Sequence, residues 1–213
     1  MTIISHAPAA DGTTPNFTDY DGERARFSGA AVDRELGAAQ GGSTSPTSRW
    51  LDTVNADRPV TERILIAALH LKAVALVATR FPVMNGFWLD GEFHPQVAVH
   101  LGVAISLLQG GLVLVARVRA GSMRSSEMSD PTLTVTNLGE QGVQSVYGVI
   151  YPPQVALVGF GNATKRPWVV DGTLAAVPVV TATLAADHRV SDGHRGAQFL
   201  LDIRRRLQHP HEL

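Results

Sequence analysis

Leu184-Ala-Ala-Asp-His-Arg-Val-Ser-Asp-Gly193 is the stretch on which the reading of this chain turns. An apolar run, Leu174 to Ala185, ends by delivering Asp187, His188 and Arg189, and a helical pattern opens at Asp192-Gly193. A histidine at such a strand-to-helix junction can offer one ring nitrogen to a cleft, and its ordinary pKa of ~6.5 suits proton transfer near neutrality. Asp192 stands where a side chain caps a helix through free backbone amides; it could equally pair with an arginine and fix the loop. By themselves the residue types leave three readings open: a structural polar network, a general base at His188, or a metal set of His188, Asp192 and His194. A helix beginning at residue 192 turns His194 away from His188, which disfavours the metal.

Downstream, Ala197, Leu200, Leu201 and Leu207 recur near helical spacing, and a terminal helix is predicted over 193–208. Upstream, Trp168 to Val170 and Leu174 to Ala185 form a hairpin about Asp171-Gly172, and Phe87 to Leu89 and Phe93 form another about Asp90-Gly91. Strands are predicted over 97–106, 111–118, 132–136 and 154–160. The last is almost wholly apolar, as expected when both faces are covered. Gly159-Phe-Gly161 lacks the rest of a dinucleotide fingerprint and reads as a packing turn. Residues 61–81 read as one long helix, apolar nearly all round and ended by Pro82. Gly121 to Asp130 is polar without a period, Gly37 to Ser48 is a Gly/Ser/Thr-rich loop, and residues 1–60 are weakly patterned. The expected organisation is an N-terminal segment, 1–60, packing on a core, 61–213.

Composition bounds the partners. Of 213 residues 45% are hydrophobic and 17% charged, enough apolar material for a sizeable core. A net charge of -1 gives no basic excess for nucleic acid or an anionic membrane, and neither partner is expected. With no cysteine there is no disulfide, thiolate metal site or cysteine nucleophile, and no metal is expected. The apolar stretch Ile64 to Ala78, broken by His70 and Lys72, is shorter than the ~18 residues a spanning helix needs. A soluble, cytoplasmic protein is the expectation.

Asp187-His-Arg-Val-Ser-Asp-Gly193 resembles the DHRxxDG signature of the dihydrolipoamide acyltransferases, the core components of 2-oxoacid dehydrogenase complexes. Thr132-Leu-Thr-Val-Thr-Asn-Leu-Gly139 is similar to that family's FTISNLG segment, and Tyr151-Pro-Pro-Gln-Val-Ala-Leu-Val-Gly-Phe-Gly161 to its NPPQVAILGVG. Phe81-Pro-Val-Met-Asn85 resembles FPxLN, and Val99-His-Leu-Gly-Val-Ala-Ile105 resembles VNIGVAV. These blocks fall in the family's order.

The resemblance implies an α/β two-layer sandwich like chloramphenicol acetyltransferase, with a mixed, mostly antiparallel sheet backed by helices. It implies a homotrimer with active sites at subunit interfaces, using acetyl-CoA as acyl donor. His188 then matches the general base, Thr136 the hydroxyl that hydrogen-bonds the tetrahedral oxyanion, and Asp192 the carboxylate that orders the loop, usually through an arginine. Direct transfer needs a base and an oxyanion donor but no covalent enzyme intermediate. No version of the family's lipoyl or subunit-binding domain is recognisable in residues 1–60, so no covalently attached lipoyl group is expected. The IPHF element is reduced to Thr14-Pro-Asn-Phe17, and only Arg119 to Pro131 precede the oxyanion strand. The expectation drawn from these departures is a stand-alone acyltransferase that acetylates a small-molecule hydroxyl, for example a hydroxymethyl tetronate in natural-product synthesis. The alternatives are a dihydrolipoamide acyltransferase core and a non-catalytic trimeric scaffold.

Overall fold

The computed structural model describes residues 34–36, 46–106, 112–116, 131–170 and 172–213. In chain order its elements are β1 (Arg34–Leu36), α1 (Pro46–Asn55), α2 (Ile66–Ala78), β2 (Gly86–Leu89), β3 (Glu92–Pro95), β4 (Leu101–Ser106), β5 (Leu112–Ala116), β6 (Leu133–Asn137), β7 (Ala156–Phe160), β8 (Thr164–Val170), β9 (Thr173–Ala186) and α3 (Gly193–Gln208). One sheet runs β1-β9-β7-β6-β4-β5, with β8 paired to the first half of β9. The β4–β6 and β6–β7 pairs are parallel and the rest antiparallel. This is a mixed, mostly antiparallel sheet backed by helices, as the resemblance implies.

Alternation along the central strands sorts their side chains onto two faces. Leu133, Val135, Val158, Phe160, Ala182 and Leu184 form the core with Val74 and Val77 of α2 and Phe199, Leu200 and Ile203 of α3. The other face carries Thr134, Thr136, Gly159 and Thr183, of which Thr136, Gly159 and Thr183 lie level with one another across β6, β7 and β9. Residues 144–148 lie against this second face. A Cβ on Gly159 would come within 2.7 Å of Val146, and one on Gly161 within 2.0 Å of the Gln144 carbonyl oxygen. The two glycines let backbone rest on backbone, and every residue of β7 is buried. Gly159 and Phe160 are the last residues of strand β7 and not the turn expected from sequence, and the two glycines serve close packing.

Several boundaries depart from the sequence pattern. The helix expected over 61–81 runs only from Ile66 to Ala78. Asn55 accounts for the late start: its side chain accepts from the Ile64 amide at 2.8 Å and donates to the Ile64 carbonyl at 2.9 Å, which holds that residue out of the helix. The strand expected over 97–106 begins at Leu101 because Asn85 donates to the carbonyls of Gln96 and Ala98, where a ladder would otherwise form. Helix α1 occupies part of a stretch read as loop and weak pattern; it buries Thr47 and Leu51, and Thr47 donates to the Leu207 carbonyl at the end of α3. Helix α1 thus packs on the core. Most of the remaining N-terminal segment, and the polar stretch 121–130, lie outside the described residues.

His70 of α2 has a consequence for stability. It is 4% exposed, its ring stacks on Phe160 at 4.2 Å, and its Nδ1 has no hydrogen-bond partner among the described residues. Burial pushes its pKa down from 6.5 to about 4. A depressed histidine pKa means the unfolded chain takes up the proton first. The stabilisation is therefore full above pH 6.5 and declines as pH falls to about 4. The whole loss amounts to roughly 3 kcal/mol. Urea unfolding of the wild type and His70→Phe at several pH values should show the variant, which keeps the stack, losing less stability on acidification.

Candidate active site

The β9 strand leaves the sheet through a tight loop. The Asp187 amide donates to the Val155 carbonyl at 2.8 Å, and the Val190 and Ser191 amides both donate to the Asp187 carbonyl at 3.0 Å. Asp187 is buried, and its carboxylate takes two-pronged hydrogen bonds from Arg189, at 2.9 and 3.1 Å from Nε, with Nη2 also bonded to Oδ2. The Arg189 amide adds a further bond to the same carboxylate at 3.0 Å. These bonds raise the arginine's already high pKa. Between the two, His188 is exposed at the rim of a cleft it shares with Leu184, Ser191, Asp192 and Gly196.

Asp192 is the N-cap of α3. Its Oδ1 accepts from the Arg195 amide at 2.8 Å, and that bond is the first cause holding its carboxyl below the usual range. The arginine partner expected from the resemblance is not what the described residues place on it; the paired carboxylate in this loop is Asp187. Sequence reading gave Asp187 no role, although aspartate and arginine two residues apart around a histidine was the available signal. His194 contacts Gln198 one turn along α3. Among the described residues no three His, Asp or Glu side chains are grouped to hold a metal ion, His188, Asp192 and His194 included.

Thr136 lies on β6, 7% exposed, on the face away from the helices. Its neighbours on that face are committed: Thr134 donates to Gln154 Oε1 at 2.6 Å and Thr183 to the Val146 carbonyl. The Thr136 hydroxyl has no such bond among the described residues, which leaves its donor uncommitted.

The sheet register separates this hydroxyl from the histidine. Thr136 is level with Gly159 and Thr183, whereas Ala186, two residues before His188, is level with Ala156. Ala186 therefore lies three residues along and two strands across from Thr136, roughly 10 Å in each direction. The chain then continues the same way through Asp187. One chain does not bring Thr136 and His188 to a common reacting atom.

This fold is shared with acyltransferase cores. The probable dihydrolipoamide acetyltransferase from Listeria monocytogenes superposes with a TM-score of 0.69 at 21% identity, over 83% of this chain and 82% of that one. The family of 2-oxoacid dehydrogenases acyltransferase (catalytic domain) matches residues 111–213. The dihydrolipoyllysine-residue acetyltransferase component of the pyruvate dehydrogenase complex of Staphylococcus epidermidis is 38% identical over 162 residues, 66% of this chain and 37% of that protein. An uncharacterized protein of Mycobacterium tuberculosis is 58% identical over 69 residues, 86% of its length and 32% of this chain. Residues 111–213 thus match the 2-oxoacid dehydrogenase acyltransferase catalytic-domain family, and the chain spans well under half the length of the acetyltransferase components it resembles.

Proposed function

We propose that this chain transfers an acyl group between CoA and a dihydrolipoyl-type thiol, at sites built by two neighbouring subunits of a homotrimer. The observation that carries this reading is the separation of Thr136 from His188 within one chain, together with the uncommitted hydroxyl of the first and the exposed ring of the second. A second copy supplies the missing half. Residues 143–151, beside the Thr136 face, leave Val143, Tyr147, Val149 and Tyr151 exposed, which supports that face meeting another copy.

In the forward direction neutral His188 takes the proton from the acceptor thiol as its sulfur attacks the thioester carbonyl. The carbonyl oxygen becomes an oxyanion and receives the Thr136 hydrogen bond. Collapse of the tetrahedral intermediate breaks the bond to CoA, and the departing thiolate recovers the proton from His188. Atoms and charge balance without a metal or an enzyme-bound acyl group. The relatives' names support a dihydrolipoyl acceptor over the small-molecule alcohol expected from the sequence. The alcohol is the second reading, favoured by the short connection of residues 117–132 between β5 and β6.

Mixing two dead variants tests the shared site. His188→Ala and Thr136→Ala chains each spoil one half, so trimers assembled from both at equal ratio contain intact sites at about a quarter of positions by chance. Acyl transfer should return to about that fraction of wild type. Verified mixed oligomers with no recovery would overturn the shared site. CoA release measured side by side with dihydrolipoamide and with hydroxymethyl compounds then decides the acceptor.

A further inference from the structure

We infer that Trp88 is a positioning residue for His188, acting through Arg189 and Asp187; the positioning serves the acyl-transfer reading above and rests on it. The Arg189 guanidinium carbon lies 4.1 Å from the centre of the Trp88 ring while its nitrogens hold Asp187. An arginine–aspartate pair near the surface is weak when water and rotamer freedom compete for it. Here one flat face of the guanidinium is covered by indole, which adds a cation–π attraction and restricts the side chain.

The clamp and the cleft flank the same loop. Asp187 and Arg189 are bonded to each other through their side chains, with Arg189 against Trp88, and His188 between them lines the cleft with Ser191 and Asp192. Trp88 is itself held. Its amide donates to the Pro153 carbonyl at 2.8 Å, it pairs with Phe93 across β2–β3, and Phe87 bridges to Gln154. The hairpin closes through Asp90 and Gly91, both at positive φ (50° and 84°), a tight turn that fixes the pairing register. Pro153 and Gln154 precede Val155, whose carbonyl takes the Asp187 amide. The hairpin, the start of β7 and the histidine loop thus form one closed circuit, with the indole–guanidinium contact as its side-chain link.

Trp88→Leu keeps an apolar side chain and removes the ring. Hydrogen–deuterium exchange at the Val190 and Ser191 amides should accelerate at least about tenfold in this variant. The value of kcat should fall about 10- to 100-fold, since small misplacements of a reacting group cost that much, with KM for acyl-CoA little changed. Trp88→Phe, which keeps an aromatic face, should restore both. Unchanged exchange and kcat in Trp88→Leu would overturn the inference, as would a folded Trp88→Phe that fails as badly as Trp88→Leu. If Trp88→Leu does not fold, Arg189→Lys removes the planar fork while keeping the charge, and a normal kcat there overturns it. The exchange readout needs no activity, so a wild type without acyl transfer removes the proposed reaction and leaves exchange to decide the clamp.

Discussion

His188→Ala is expected to slow acyl transfer about 10²- to 10⁴-fold, the usual worth of a general base. The side chain is exposed, and the loop around it is held by backbone hydrogen bonds to the Asp187 and Val155 carbonyls. The melting temperature should therefore stay within a degree or two of wild type, as for other surface changes away from packing. CoA release under saturating acyl-CoA, beside a thermal melt, measures both. A well-folded variant keeping more than about a tenth of wild-type kcat would remove the base assignment.

Thr136→Ala should lower kcat by on the order of 10²-fold with KM for acyl-CoA unchanged, because its hydroxyl is needed when charge develops on the carbonyl oxygen. The stability change should be small. Unlike Thr134 and Thr183, this hydroxyl bonds no described group, so its loss strands no buried partner. Thr136→Ser keeps the donor and should keep most of the rate. A rise in KM alone would make Thr136 a binding residue.

The parts of the fold legible in the sequence were those with strong local chemistry. The Asp90-Gly91 turn, the apolar β7 and the span of α3 all follow from turn residues and periodicity. Helix α1 was hidden because it follows a Gly/Ser/Thr-rich stretch and buries only Thr47 and Leu51, too little to make an apolar stripe. The shortened α2 and the late start of β4 depend on two asparagine side chains that reach 9 to 13 residues along the chain, which no local window contains. At the site, His188 and Thr136 stood out through their family motifs. The Arg189–Trp88 contact did not, since it joins residues a hundred positions apart and neither motif names it. Asp192 had two readings from sequence, cap or ion pair, and the bond from the Arg195 amide shows the cap.

Strand β9 is one element of two unequal halves. Among the described residues, Thr173 to Val179 are paired only with β8, and the apolar cluster there is small: Val177 and Val179 with Trp168 and Ala175. From Val180 onward the strand enters the main sheet and the main core. Local opening free energy follows buried apolar contact, so amide protection should step up between residues 179 and 180 within an unbroken strand. The arm can fray, be clipped by a protease, or be clasped by another molecule without the disturbance reaching the far end of the strand.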